Sequence, residues 1–116
     1  KQYDKSLSNI NYIKTPEIHT SVKHSYHLYP LQINFDKLQI TKKKLFKLMK
    51  QIGINLQVHY IPVHIQPYYK NNFGFKLGDF PISEKFYCNE VSLPVYYSLK
   101  KKQIYKVIKY IKEFCN

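Results

Sequence analysis

The sequence of 116 residues predicts one α+β domain, with a small mixed sheet of about three strands and helices packed on one face. Three observations lead to this fold class. Segments with strand-like alternation recur between segments with helical apolar spacing, in the order strand, helix, strand, helix, strand, helix. The length suits a single domain. An apolar fraction of 44% is enough to form a modest core.

The N-terminal third predicts a helix end, a connection and a first strand. The opening KQYDKSL resembles the last turns of a helix, and residues 9–23 carry turn-forming residues without a clear period. In residues 25–35 every second position is apolar or aromatic apart from His27, which predicts a half-buried strand. Pro30 within this segment favours an edge position or a bulge.

A helix is expected next, followed by a short second strand. Thr41 is suited to the N-cap and Gly53 to a left-handed C-terminal cap. Between them Leu45, Leu48, Met49 and Ile52 recur at helical spacing. Residues 55–60, NLQVHY, predict a strand that ends before Pro62.

Residues 61–80 form a long aromatic segment with two prolines, two glycines and no clear period. We expect it to be a functional loop, because long irregular connections in small domains commonly carry binding groups.

The last third predicts a helix, a strand and a final helix. Pro81 lies where a helix favours proline, at its first position, so residues 81–90 are expected to be helical. VSLPVY at 91–96 predicts the third strand, and Ser98 the cap of the final helix. One face of that helix is apolar: Ile104, Val107, Ile108, Ile111, Phe114 and Cys115.

The formal charge of +12 comes entirely from lysine, since the sequence has no arginine. Readers of nucleic-acid sequence depend on arginine for bidentate contacts, so we expect a solvated basic surface and no nucleic-acid partner. No apolar run approaches the roughly 20 residues that span a bilayer, and no membrane association is expected. Two unpaired cysteines and the absence of a secretory pattern favour a cytoplasmic protein.

The candidate site is Q57-V-H-Y-I-P-V-H-I-Q-P-Y-Y69, in which a strand meets a proline-stiffened loop. His59 and His64 are its polar groups, although their spacing and the lack of a nearby acid argue against a metal site. From the residues alone, the aromatic side chains could equally be core, with His59 half-buried. Glu84 and Glu90 fall on different faces of the predicted helix and are expected to be solvated. No self-contained catalytic set is present.

The segments HSYHLYPLQI, QIGINLQVHYIPVHIQPYY and GDFPISEKFYCNEVSLPVYYSL, in this order, resemble the C-terminal domain of DegT/StrS aminotransferases. The resemblance covers nearly the whole chain. It implies a linker helix and connection at 1–23 and the small domain of a fold-type I pyridoxal phosphate (PLP) enzyme at 24–116. The larger domain that binds PLP and supplies the catalytic lysine would lie outside this chain. We therefore assign no catalytic, cofactor-binding or metal-binding residue here.

The resemblance also implies a substrate site. Val58, His59, Tyr60 and Ile61 would approach a sugar nucleotide, with His64 nearby. His59 and His64 would donate or accept hydrogen bonds to its sugar or phosphate. Within the family the sequence is most similar to transaminases of the pseudaminic-acid branch, which supports flagellin glycosylation. These enzymes move an amino group from L-glutamate to a UDP-4-keto-6-deoxy-N-acetylhexosamine. The full-length protein is expected to be a homodimer, and this chain alone to be inactive.

One alternative is a stand-alone module that binds a sugar nucleotide or a protein without catalysis. A nucleic-acid-binding domain is the third interpretation. The first reading requires a PLP-binding domain upstream in the gene, whereas the third requires binding that weakens steeply with salt.

Overall fold

The computed structural model describes residues 2–115. Its elements, in chain order, are α1 (Gln2–Leu7), β1 (Ile13–Lys14), β2 (Pro30–Ile33), α2 (Phe35–Leu38), α3 (Lys42–Gln51), a 3₁₀ turn (Val63–Ile65), α4 (Pro67–Phe73), α5 (Pro81–Asn89), β3 (Glu90–Ser92) and α6 (Lys101–Cys115). The α+β class is confirmed.

The sheet has the order β1-β2-β3. Both pairings are antiparallel, with Ile13 opposite Ile33 and Leu31 opposite Val91. The prediction of a mixed sheet is therefore wrong. β2 is the central strand, and the edge position predicted from Pro30 is wrong. Pro30 is instead the first residue of its strand, where a missing N–H is tolerated.

The core lies against the face of the sheet that carries Leu31 and Ile33, and the alternation of the first predicted strand is confirmed there. Tyr29, Leu31, Ile33 and Phe35 are all buried, although only 30–33 is a strand. Helices α1, α3 and α6 complete the core through the following side chains: Tyr3, Leu7, Leu45, Met49, Val107, Ile108, Ile111 and Cys115. The apolar face predicted for the final helix is therefore confirmed.

Helix α3 begins and ends as predicted. The Thr41 side chain accepts a hydrogen bond from the Lys44 N–H. At the other end Gly53 has φ 78°, and the N–H groups of Gly53 and Ile54 donate to the carbonyls of Lys50 and Met49. This pair of bonds is a Schellman motif, which satisfies carbonyls that would otherwise lack partners.

Several sequence-based expectations are wrong in their extent. β1 and α2 were not expected, and the supposed loop at 61–80 contains α4, with Pro67 at its first turn. The predicted strand at 55–60 is reduced to one bridge between Gln57 and Ser92. The third strand is 90–92 rather than 91–96, and α6 begins at Lys101, later than a cap at Ser98 would place it.

No helix within residues 2–115 is long and apolar enough to cross a membrane. Cys88 is exposed on α5, and Cys115 is buried at the end of α6; neither forms a disulfide. Burial raises the pKa of the Cys115 thiol to about 11.

Candidate functional site

The candidate site is built where the segment after α3 crosses β3. Gln57 pairs with Ser92 in antiparallel fashion, which brings His59 opposite Glu90. The backbone hydrogen bonds that join Gln57 to Ser92 do not continue to the pair His59 and Glu90. Instead, the His59 N–H donates to Glu90 Oε2 at 2.9 Å. A side-chain carboxylate thus takes the place of a backbone carbonyl, which explains why the predicted strand stops.

Glu90 and Ser92 lie on one face of β3, because alternate residues of a strand share a face. Glu90 is fully buried. Ser92 Oγ donates to Glu90 Oε1 at 2.5 Å, and His59 Nδ1 lies 2.8 Å from Ser92 Oγ. Three side chains therefore form a chain of hydrogen bonds, Glu90–Ser92–His59, which runs from the interior to the partly exposed imidazole.

Lys42 supplies positive charge near Glu90. Its ammonium group donates to the Tyr87 carbonyl at 2.7 Å and lies 4.9 Å from the centre of the Tyr87 ring. Partial burial lowers the pKa of Lys42, and attraction to Glu90 opposes that shift without cancelling it. Glu90 therefore lies in the field of a nearby cation but forms its hydrogen bonds with His59 and Ser92.

Beyond His59 the chain turns outward. Tyr60 and Ile61 are exposed, with 70% and 51% of their surfaces accessible, while Val58 is partly buried. The Tyr60 ring packs edge-on against His59 at 4.7 Å, and the peptide bond between the two residues is cis. Pro62 is buried and anchors the segment where the 3₁₀ turn begins. The structure thus displays an aromatic and an aliphatic side chain beside the imidazole.

His64 occupies a different environment from His59. It is buried, its Nε2 lies 2.8 Å from Glu84 Oε1, and its ring packs against Phe80 at 4.8 Å. Glu84 also accepts hydrogen bonds from the N–H groups of Gly78 and Phe80. Burial acts to raise the pKa of Glu84, but the bonds from Gly78, His64 and Phe80 outweigh it and hold that pKa below its usual value. The pair ties the 3₁₀ turn to the start of α5.

A cleft of about 250 Å³ runs beside this cluster. His59 and Ser92 line it together with His27, Asn55, Gln57 and Tyr96. Ligand pockets usually enclose about 300–1,000 Å³. The cleft is therefore too small to surround a whole sugar nucleotide, although it could hold one polar ring substituent.

The described residues do not provide a site for a metal or for PLP. Within 2–115 no group of three or more His, Cys, Asp or Glu side chains could hold a metal ion. Every lysine in the same range is exposed except Lys42, whose Nζ is engaged by the Tyr87 carbonyl. A PLP site needs a lysine for the Schiff base and an acidic partner for the ring nitrogen, and residues 2–115 bring no such pair together in an enclosed site.

Residues 1–112 match the model of the DegT/DnrJ/EryC1/StrS aminotransferase family. The chain belongs to this family. It is 40% identical to the uncharacterized protein MJ1066 of Methanocaldococcus jannaschii over 113 residues. This matched stretch covers 97% of this chain and 29% of MJ1066. The spore coat polysaccharide biosynthesis protein SpsC of Bacillus subtilis is 34% identical over the same shares.

A third relative is named UDP-4-amino-4,6-dideoxy-N-acetyl-beta-L-altrosamine transaminase, from Campylobacter jejuni. It is 34% identical over 101 residues, which are 86% of this chain and 26% of that enzyme. Among solved structures, Helicobacter pylori PseC, an aminotransferase of pseudaminic acid biosynthesis, superposes with a TM-score of 0.82 at 25% identity, over 97% of this chain and 30% of PseC. The chain therefore spans less than a third of the length of these family members.

Membership of the DegT/StrS family does not by itself locate the site. The structure places Val58, His59, Tyr60 and Ile61 in one continuous stretch and puts His64 in a separate buried pair. Sequence reasoning missed Glu90 and Ser92, and it was wrong to expect Glu84 and Glu90 to be solvated. The sequence places Glu90 in a predicted helix and Ser92 in the following strand, and their partner His59 lies more than thirty positions away.

Proposed function

We propose that this chain is the small domain of a PLP-dependent sugar-nucleotide aminotransferase, with residues 1–23 as the linker and 24–116 as the domain. The enzyme moves an amino group from L-glutamate to a UDP-4-keto-6-deoxy-N-acetylhexosamine. It acts as a cytoplasmic homodimer, with PLP and the catalytic lysine in the larger domain. PLP supplies the electron sink that transfers the amino group, and this chain encloses the sugar.

The observation that carries the proposal is the display of the 58–61 segment. In this aminotransferase family member a hydrogen-bonded cluster around a buried carboxylate holds an imidazole next to two exposed side chains, Tyr60 and Ile61. Sugars are bound through polar groups at their rims and apolar contacts on their faces, and both types are present. Buried groups hold this segment in place, so little conformational freedom is lost when the ligand binds.

Individual residues then have different tasks. His59 hydrogen-bonds a polar group of the sugar nucleotide, while Tyr60, Ile61 and the partly buried Val58 exclude water from it. His64 contributes indirectly, because its imidazole is buried and paired with Glu84. By fixing the 3₁₀ turn to α5, His64 keeps the 58–61 segment in position.

The choice of sugar rests on similarity to two named proteins. A transaminase of a 4-amino-4,6-dideoxy sugar is 34% identical to this chain, and PseC shares its fold at 25% identity. SpsC, a spore coat polysaccharide biosynthesis protein, has the same 34% identity over a longer stretch. The competing assignment is therefore a sugar that is used in polysaccharide synthesis. Both assignments keep the reaction class and differ in the sugar.

The test is glutamate-dependent amination by the full-length protein that contains this chain, with PLP added. Formation of a UDP-4-amino-4,6-dideoxy sugar from the 4-keto precursor is expected, as measured by mass spectrometry. Residues 1–116 alone should give no product. His59→Ala should lower kcat/KM about tenfold, which corresponds to one lost hydrogen bond of about 1.4 kcal/mol. His19→Ala, at an exposed histidine outside the cluster, should leave it unchanged. Turnover of other 4-keto sugars only would refute the sugar assignment, and no aminotransfer from any donor would refute the reaction.

A further inference from the structure

Glu90 is a buried carboxylate whose hydrogen bonds all lead toward His59. One oxygen accepts from the His59 backbone and the other from Ser92, which contacts the His59 ring. We propose that Glu90 and Ser92 are positioning residues that hold the neutral His59 ring with its proton on Nδ1, so that Nε2 is presented as a hydrogen-bond acceptor. That Nε2 meets a sugar nucleotide rests on the proposed function.

The direction of each bond follows from the groups involved. A backbone N–H can only donate, so Glu90 Oε2 accepts from His59 and the orientation of the carboxylate is fixed. The Ser92 hydroxyl has a single proton, which it donates to Glu90 Oε1 at 2.5 Å. Towards the ring, Ser92 Oγ can therefore only accept. The atom 2.8 Å away, His59 Nδ1, must carry the ring proton.

His59 Nε2 can then act only as a hydrogen-bond acceptor. Within residues 2–115 the His59 ring forms no hydrogen bond other than that to Ser92. A neutral imidazole protonated at Nδ1 has a lone pair at Nε2, so it accepts from a donor group of the ligand. Sugar hydroxyls and the N–H of an N-acetyl group are such donors. Phosphate oxygens, which only accept, would not pair with this form of the ring.

This assignment gives Glu90 and Ser92 a part in specificity. A site built around a fixed acceptor binds a ligand that brings a hydroxyl or an amide N–H, and it discriminates against one that lacks that donor. The two residues act through His59 and touch no ligand themselves.

The test is the tautomer of His59 in the 116-residue chain, measured by long-range ¹H–¹⁵N correlation at about pH 8.5, where an ordinary histidine is neutral. The resonances of His59 are identified as those absent from His59→Gln. The wild-type ring should show a protonated, pyrrole-type Nδ1 and a pyridine-type Nε2. The opposite pattern would overturn the proposal.

The variant Glu90→Gln gives a second test, because it should reverse the tautomer of His59. The His59 N–H still requires an acceptor, so the amide oxygen must face it and the amide NH₂ must donate to Ser92. Ser92 then donates to Nδ1, and the two ¹⁵N shifts of His59 should exchange roles. Glu113→Gln, at an exposed carboxylate on α6, is the matched control and should leave them unchanged. An unchanged tautomer in Glu90→Gln would contradict the proposal.

Ser92→Ala covers the case in which Glu90→Gln does not fold. Among the described residues it removes the one group that favours Nδ1–H, so the preference of wild type for that form should be lost. Persistence of the preference would contradict the positioning role of Ser92. These measurements need neither PLP nor substrate. A failed aminotransfer assay with the tautomer pattern intact would therefore reject the proposed function and leave this positioning role standing.

Discussion

Ser92→Ala should destabilise the protein mainly through Glu90. Ser92 is buried, and its hydroxyl is the donor to a fully buried carboxylate oxygen. Hydrogen bonds to charged groups contribute about 1.5–3 kcal/mol. The lost contact with His59 Nδ1 adds little, because the ring is only partly buried and can be reached by water. The expected loss is therefore about 2 kcal/mol in the free energy of unfolding.

Urea unfolding of the 116-residue chain, followed by circular dichroism, measures this loss. With a slope of about 1.5 kcal/mol per molar, the midpoint should fall by about 1.3 M. In a Glu90→Gln background the same change removes a neutral hydrogen bond, so it should cost only about 1 kcal/mol. Ser8→Ala, at an exposed serine, is the control. A loss for Ser92→Ala within 0.5 kcal/mol of the control, or equal losses in both backgrounds, would refute the coupling to a charged carboxylate.

Three further changes test other parts of the structure. Leu31→Ala, in the fully buried centre of β2, should lower the free energy of unfolding by about 3 kcal/mol, and a loss below about 1 kcal/mol would argue against the core as described. Gly53→Ala should cost about 1 kcal/mol from the left-handed backbone at φ 78° alone, because an added Cβ meets no atom within 4 Å; Gly53→Asn should cost less. For Glu84 the folded-state pKa is lowered, so its stabilisation is complete above the ordinary value of 4.5 and is lost as the pH falls through the folded pKa. The stability advantage of wild type over Glu84→Gln should accordingly be constant near neutral pH and shrink below pH 4.5, and an advantage that grows on acidification would reverse the assigned sign.

Local signals in the sequence predicted those parts of the fold that depend on local physics. The N-cap at Thr41 and the glycine at 53 define α3 because both act within a few residues of their own position. The apolar faces of β2 and α6 could be predicted for the same reason, since both depend on local spacing along the chain. Pro67 carried the same signal as Pro81, a proline at the first turn of a helix, but the aromatic residues around it concealed the short period of α4.

The site was less predictable because its contacts are distant in the sequence. His59 was identified, yet the groups that orient it come from β3 and depend on the register set by the Gln57–Ser92 bridge. A buried carboxylate has no sequence signature of its own, so the sequence predicts a solvated Glu90. Helix-face reasoning likewise could not show that Glu84 meets His64 across a loop.

A structure of the full-length protein with a UDP-N-acetylhexosamine bound would show directly whether the 58–61 segment contacts the substrate. We expect His59 Nε2 to lie within about 2.7–3.2 Å of a hydroxyl or amide nitrogen of the ligand, with Tyr60 and Ile61 against the sugar. A ligand enclosed elsewhere, with His59 far from every ligand atom, would contradict the assignment of the 58–61 segment as the substrate-enclosing part of the enzyme.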